Sequence, residues 1–544
     1  MCRLSWFLNS SSASIMICTI VHQYDHNHHL IILMFRHFTF NSNLSGSHVF
    51  DKDETKKKYS HQIASFGQKV EWLDGRHYAE EDLEKYRLVG DTEMDRMLDL
   101  NAGKNEICGE FAHTIEACKN IYHERHDVDR REDTDVLDVS VEQQAMYDFY
   151  RHYHDFVPSW VDWDQIQRGI DIFITYSPVA GQALYYLSLV PGFSIPKIAK
   201  VLEQTRYLVP PSTPTQVRNR LMDTGGFVSN AMLPNKSGLS AASLRPGCKA
   251  WKMALQVRTL HAKVRRSILR NKRINWDIEK YGVPINQEDM AATLLAFSVN
   301  VLMGVEFVSG RPLSVDAQKD YLALWRYIGW LLGIESDERD SNFQSFEHAI
   351  CSNLEPLDPC GTRLSVHDRD NSIIHARASL ESFIIHLMNP NKSSSIIAKH
   401  LLSIGGSSEN KGAKEKDPKE KDNLGYLYRC FMCRRFIGDT LADSLEIPKP
   451  TFRSKSMLAY MCTTGVLMIL RLYTLSTMKS SWFRKRAYSR HLKLIKRFDE
   501  VWSKNNSQRM QRPTRNIEER KSSSCAFHLV MPPKASDSYH PKND

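Results

Sequence analysis

The chain has 544 residues, 42% hydrophobic and 25% charged, with a formal net charge of +9. That is ordinary globular composition, and with no basic face interleaved with aromatics it gives no reason to expect a nucleic-acid partner. Eleven cysteines in so long a chain exclude a small disulfide scaffold and fit reduced thiols in a cytosol-facing protein.

Residues 1–69 read as a poorly structured leader. "SIMICTIV" and "LIILMF" fall far short of the ~20 apolar residues that span a bilayer, and no basic flank or cleavage site marks a signal peptide. The histidines between them, His22, His26, His28 and His29, read as a solvated biased segment rather than a metal site. From 70 to 402 helical periodicity dominates. It is clear in "AEEDLEKYRLVGDTEMDRMLDL", and in "QKDYLALWRYIGWLLGI", where Leu322, Trp325, Gly329 and Leu332 share one face. "HYH" at 152–154 reads as surface. In "YGVPINQEDMAATLLAFSVNVLMGVEF" Asn286 caps a helix, Asp289 answers it as in a capping box, and the apolar run 290–305 makes a long central helix. Strand alternation is rare, so the fold class is all-α. Residues 403–424 are a polar linker or loop by composition. Residues 425–502 read as a C-terminal helical extension. There Cys430 and Cys433 lack the second pair a zinc site needs, and pack in a helix. The run 456–470 covers roughly 22 Å, short of a hydrocarbon core, so a buried helix is expected, with membrane insertion as the alternative. Residues 503–544 are a disordered basic tail, and its charge beside an apolar run fits an anionic membrane surface.

One helix carries chemistry: "WKMALQVRTLHAKVRRSILRN", 251–271. At roughly 100° per residue, Val257 and Val264 flank His261 on one side and Arg258 and Arg265 on the other. An apolar, dianionic, metal-bearing plane suits that arrangement, and haem is such an object. Carboxylates of neighbouring helices suit the arginines equally well. No glycine-rich phosphate loop, GxSxG elbow or HExxH motif occurs.

The segments "PSWVDWDQIQRGIDIF", "ALYYLSLVPGFS", "RTLHAKVR", "YGVPINQEDMAATLLAFS" and "YLALWRYIGWLLGI" together resemble the catalytic domain shared by rubber oxygenases (latex-clearing proteins) and the endoplasmic-reticulum oxygenase MpaB. The resemblance is good over 140–340 and looser over 70–475. It implies a globin-like helical bundle with extra helices, holding haem b. His261 would be the axial iron ligand, and Arg258 and Arg265 would match the motif's two cofactor-binding arginines. Arg220 and Thr224, in "RLMDT", match an Arg–Thr pair near the haem and become the catalytic candidates. Asp223 stands where rubber oxygenase has a lysine near the distal side. Glu203 or Gln204 lies in the neighbourhood of the family's proposed catalytic glutamate. The chemistry implied is oxidative cleavage of a carbon–carbon double bond in an isoprenoid or lipid-like chain by dioxygen. The alternative is a haem-binding, membrane-associated helical protein without that activity. The family includes both proteins bound to the endoplasmic reticulum and secreted ones; the basic C-terminal region and the 456–470 run favour an endoplasmic-reticulum or other intracellular membrane location, and the reduced thiols a cytosol-facing one.

Overall fold

A computed structural model describes residues 77–101, 111–129, 140–205, 208–209, 212, 214–234, 238–334, 371–404 and 423–511. The expectations for the leader, for most of the polar linker and for the chain beyond Gln511 lie outside these residues. The fold is all-α, with no strand among the described residues. The α-helices of eight or more residues are α1 Glu80–Arg87, α2 Thr92–Asn101, α3 Phe111–Asp129, α4 Val141–Asp155, α5 Trp163–Gln182, α6 Pro196–Thr205, α7 Pro214–Met232 and α8 Lys249–Arg270. They continue with α9 Gln287–Phe297, α10 Val299–Ser309, α11 Val315–Leu331, α12 Asn371–Leu387, α13 Lys392–Ser403, α14 Leu424–Ile437, α15 Ser454–Lys479 and α16 Ser481–Gln511.

The most extensive packing joins α5 to α11. Gly169 on α5 lets the two backbones meet, since a Cβ there would sit 2.3 Å from the Asp320 carbonyl oxygen. Every residue of α11 from Gln318 to Leu331 except the half-buried Lys319 is buried, so this helix is enclosed on all sides rather than along one stripe. Past Gln182, α5 continues as a π-helical segment, Ala183–Leu189. Pro191 has no N–H to offer the Leu187 carbonyl and its ring crowds that oxygen. The turn widens, and the Val190 N–H reaches back to Tyr185 O. The widened turn is held from outside. Ser188 Oγ donates to Ala296 O at 2.7 Å and accepts from Asn300 Nδ2 at 3.2 Å.

Asn286 caps α9, accepting the Asp289 N–H at 2.8 Å. The central apolar run is two helices rather than one: the Ser298 hydroxyl bonds Leu294 O, and the chain breaks between α9 and α10 at that residue. Cys430 and Cys433 are buried in α14, and burial pushes the Cys430 thiol up to about 12.

Two expectations at the C-terminal end are corrected. The 456–470 run belongs to the 26-residue α15, and only 22% of its most apolar 18-residue window is buried. The helix therefore lies on the surface, because the face it turns inward is made of small and polar residues. The chain also remains helical beyond 502: α16 reaches Gln511, anchored by Trp502, which is 6% exposed.

Candidate functional site

The site is built on α8, which packs against α2, α3, α7 and α11. Its first turn is tied down by the preceding loop, with the Ala250 and Trp251 N–H groups donating to Ser243 O at 3.0 and 3.2 Å. Trp251, Ala254 and Leu255 are fully buried, which fixes the rotation of the helix and so the directions of the residues a turn or two further on.

Arg258 is 2% exposed. Its Nε donates to Asp91 Oδ2 at 2.5 Å, and Nη2 to Asp91 Oδ1 and Glu93 Oε2, each at 2.8 Å. The guanidinium lies 4.8 Å from the Tyr153 ring centroid, and Tyr153 Oη also donates to Glu93. Two turns on, Arg265 donates from Nε and Nη2 to Asp95 at 2.7 and 3.0 Å, and from Nη1 to Ile285 O at 2.6 Å. Burial raises the Asp95 carboxyl even against the pull of Arg265. Both arginines thus grip the start of α2, where Asp91 also caps the helix by accepting the Met94 N–H. Two glycines make room for them. A Cβ on Gly90 would lie 2.7 Å from Arg265 Nε, and one on Gly333, at φ +79°, would lie 2.4 Å from Arg258 Nε.

His261 sits between these two ion pairs. Burial, reinforced by the positive charge of Arg265 and opposed by Asp91, lowers its pKa to about 4, so the imidazole is neutral at physiological pH. Its Nδ1 is buried and has no hydrogen-bond partner. One turn earlier, Arg258 Nη1 is also buried and unpartnered. These two atoms belong to neighbouring positions on one helix face.

The other sequence candidates lie on other helices. Arg220 and Thr224 lie on α7. Thr224 is exposed, with its hydroxyl bonded within its own helix to Arg220 O. Between them Asp223 is 4% exposed and accepts the Trp502 indole N–H at 3.0 Å. The indole lies flat on Gly226, where a Cβ would come within 2.4 Å of the ring. Asp223 therefore fastens α16 to α7. Glu203 takes a long contact from Lys200, at 3.3 Å. Asp91, Glu93 and Asp95 were missed by sequence reasoning. Their signal is in "GDTEMD", where Asp91 and Asp95 fall four residues apart and so on one side of a helix start. Also missed was a buried acid pair at the start of α9. Glu288 is 2% exposed and borders a polar cavity of about 200 Å³ shared with Glu80, Arg87, Lys197 and His386. Beside it, burial and the charge of Glu288 push Asp289 up to about 7.

Residues 194–409 match the family model described as "ER-bound oxygenase mpaB/B'/Rubber oxygenase, catalytic domain". A solved structure titled "Structure of Latex Clearing Protein LCP in the closed state" is 14% identical and covers 79% of this chain and 94% of that chain, with a TM-score of 0.42. No curated protein matches the chain. The matched segment contains α8 whole, with Arg258, His261 and Arg265, and over it the chain is similar to the mpaB/rubber oxygenase catalytic domain.

Proposed function

We propose that the protein is a haem-dependent oxygenase in which His261 is the axial imidazole of a haem b iron, and that it cleaves a carbon–carbon double bond of an isoprenoid or lipid-like chain oxidatively. The observation that carries this reading is that two of the three buried, unpartnered polar atoms on α8, His261 Nδ1 and Arg258 Nη1, stand one turn apart; the third is Trp251 Nε1. The donor chemistry fits: a neutral imidazole is the form that binds iron, and a free N–H of a buried arginine suits a cofactor carboxylate. The remaining N–H groups of Arg258 and the whole of the Arg265 fork are engaged by carboxylates and a carbonyl. These residues act chiefly by holding α8 against α2, and Arg258 alone keeps an N–H for the cofactor. Haem would supply the activation of dioxygen. The chain supplies the ligand, a fixed helix and, in the buried apolar residues of α9 and α10, an interior suited to an apolar chain. We place the protein at the endoplasmic reticulum or another intracellular membrane, facing the cytosol, where such a substrate resides.

Purified protein reconstituted with haemin should show a Soret band that His261→Ala abolishes or shifts. It should also consume oxygen with polyprenyl or farnesyl substrates, and His261→Ala should not. A wild-type protein without a Soret band, or a band indifferent to His261→Ala, removes the haem assignment. A band without oxygen uptake across a broad lipid panel removes the cleavage reaction.

A further inference from the structure

The helix α15 is inside out. Its buried residues are Ser456, Ala459, Thr463, Leu467, Thr474 and Thr477. At about 100° per residue these fall within a sector of roughly 80°. The opposite side carries Met457, Leu458, Met461, Ile469 and Leu472, exposed by 40%, 44%, 41%, 57% and 61%. A helix on a water-exposed surface places its apolar stripe inward; here the stripe faces out along a helix of roughly 39 Å. The one charged residue between Lys455 and Lys479 is Arg471, and its guanidinium lies against Gly310 at the end of α10, away from the apolar stripe. Exposed aromatic residues stand at both ends: Phe452, 98% exposed, before α15, and Trp482 and Phe483 just after it.

The charge of this region has one sign. From Ile447 to Phe498 there are 12 Lys and Arg and no Asp or Glu, more positive charge than the net +9 of the whole chain. On α16, Lys485, Arg486, Arg490 and Lys493 share one open face with Trp482. A second copy of the same surface would bring these cations face to face with cations. An anionic leaflet complements them.

We propose that the outward face of α15 and the first half of α16 are a docking surface for an anionic lipid leaflet. α15 lies in the plane of the membrane surface, its methionines and leucines among the acyl chains and the α16 cations among the phosphates. A spanning arrangement is ruled out by packing. α16 runs back against α15, and its Arg484 caps the last turn of α15 at Thr477 O and Met478 O, so a spanning α15 would carry those cations into hydrocarbon. This surface deepens the membrane placement proposed above and is independent of the haem chemistry.

The test is vesicle flotation of the full chain with neutral phosphatidylcholine vesicles and with vesicles holding about 30% phosphatidylserine. The wild type should float with the anionic vesicles and be released in part by salt. The variant Leu458→Asp/Leu472→Asp changes two exposed side chains, so it should keep its helical signal and melting temperature while binding at least about tenfold more weakly. Arg490→Glu/Lys493→Glu should lose the preference for anionic vesicles, and His261→Ala should bind as the wild type does. The proposal is overturned by a wild type that ignores anionic vesicles, or by a Leu458→Asp/Leu472→Asp variant that binds undiminished. It is equally overturned if the wild type binds duplex oligonucleotide but no vesicle, or if light scattering shows that the apolar face instead holds a dimer.

Discussion

Replacing Arg258 by Met tests what the first arginine of the motif does. The substitution keeps most of the side-chain volume and removes the charge. It leaves Asp91, 1% exposed, without the two hydrogen bonds at 2.5 and 2.8 Å that satisfy its carboxylate from α8, and Glu93 without one. Removing one partner of a buried ion pair costs about 3–5 kcal/mol, because the remaining charge stays desolvated. The contact over the Tyr153 ring adds roughly 1 kcal/mol. We therefore expect Arg258→Met to lose about 4 kcal/mol in equilibrium urea unfolding at pH 7 without haem, and Arg258→Lys, which keeps the charge but not the fork, about half of that. The decisive variant is Arg258→Met/Asp91→Asn. Asparagine still caps Met94 and carries no charge, so the double change should recover about 2 kcal/mol relative to Arg258→Met alone, an interaction energy well outside additivity. A loss below about 1 kcal/mol for Arg258→Met, or strictly additive single changes, refutes the claim that this ion pair holds α8 to α2.

Gly333→Ala should cost at least about 2 kcal/mol, since it combines a positive φ with a Cβ driven into Arg258 and Asp91; an unchanged unfolding midpoint would falsify the close approach. Asp289 has a folded pKa of about 7 against an ordinary value of 3.8, so the folded state holds its proton longer than the unfolded one. The resulting penalty is absent below about pH 4, grows as pH rises and is complete above about 7. Asp289→Asn should flatten that slope and gain as much as about 4 kcal/mol at pH 8, at 1.36 kcal/mol per unit; parallel stability–pH curves for variant and wild type count against it. Trp502→Phe should cost about 1–2 kcal/mol by leaving Asp223 without its buried donor, and Trp502→Ala about 3–5 kcal/mol. No loss for Trp502→Phe would mean that the indole N–H contributes nothing.

The all-α class and the cap at Asn286 were legible because both are local: a 3.6-residue period and a side chain reaching three residues along the chain. The break at Ser298 was not, because it comes from a hydroxyl competing for a backbone carbonyl within a run whose composition reads as uninterrupted helix. α15 was misjudged for the opposite reason. Its length of apolar sequence suggested burial, but burial is set by which face the neighbours take. Helices α14 and α10 take the Ser/Thr/Ala side. The basic and aromatic residues of 482–498 were visible all along as a pattern, yet the sequence reading found no such face, because a helical stripe at i, i+3, i+4 and i+7 is dispersed when read as a string. The site divides in the same way. The Arg–His–Arg spacing on α8 is a property of one helix and was readable. Its partners come from α2, more than 160 residues away, and only the fold brings them there.

This division predicts different signatures for residues that belong to one short motif. Arg258 and Arg265 follow the rule for buried charges: each is paired with a carboxylate and given room by a glycine, with only Nη1 of Arg258 left over. His261 does not. Its buried Nδ1 has no partner and its protonation is disfavoured on both counts, by burial and by Arg265. A sequence under selection for stability alone would place an aliphatic residue there, since an unpaired buried polar group is a net cost. Local rules are broken where function requires it and are compensated elsewhere. Here the compensation is adjacent: the two ion pairs brace the turns on either side of the histidine. Changes at the arginines should therefore appear first as lost stability, and at His261 as a lost spectrum in a protein no less stable than before.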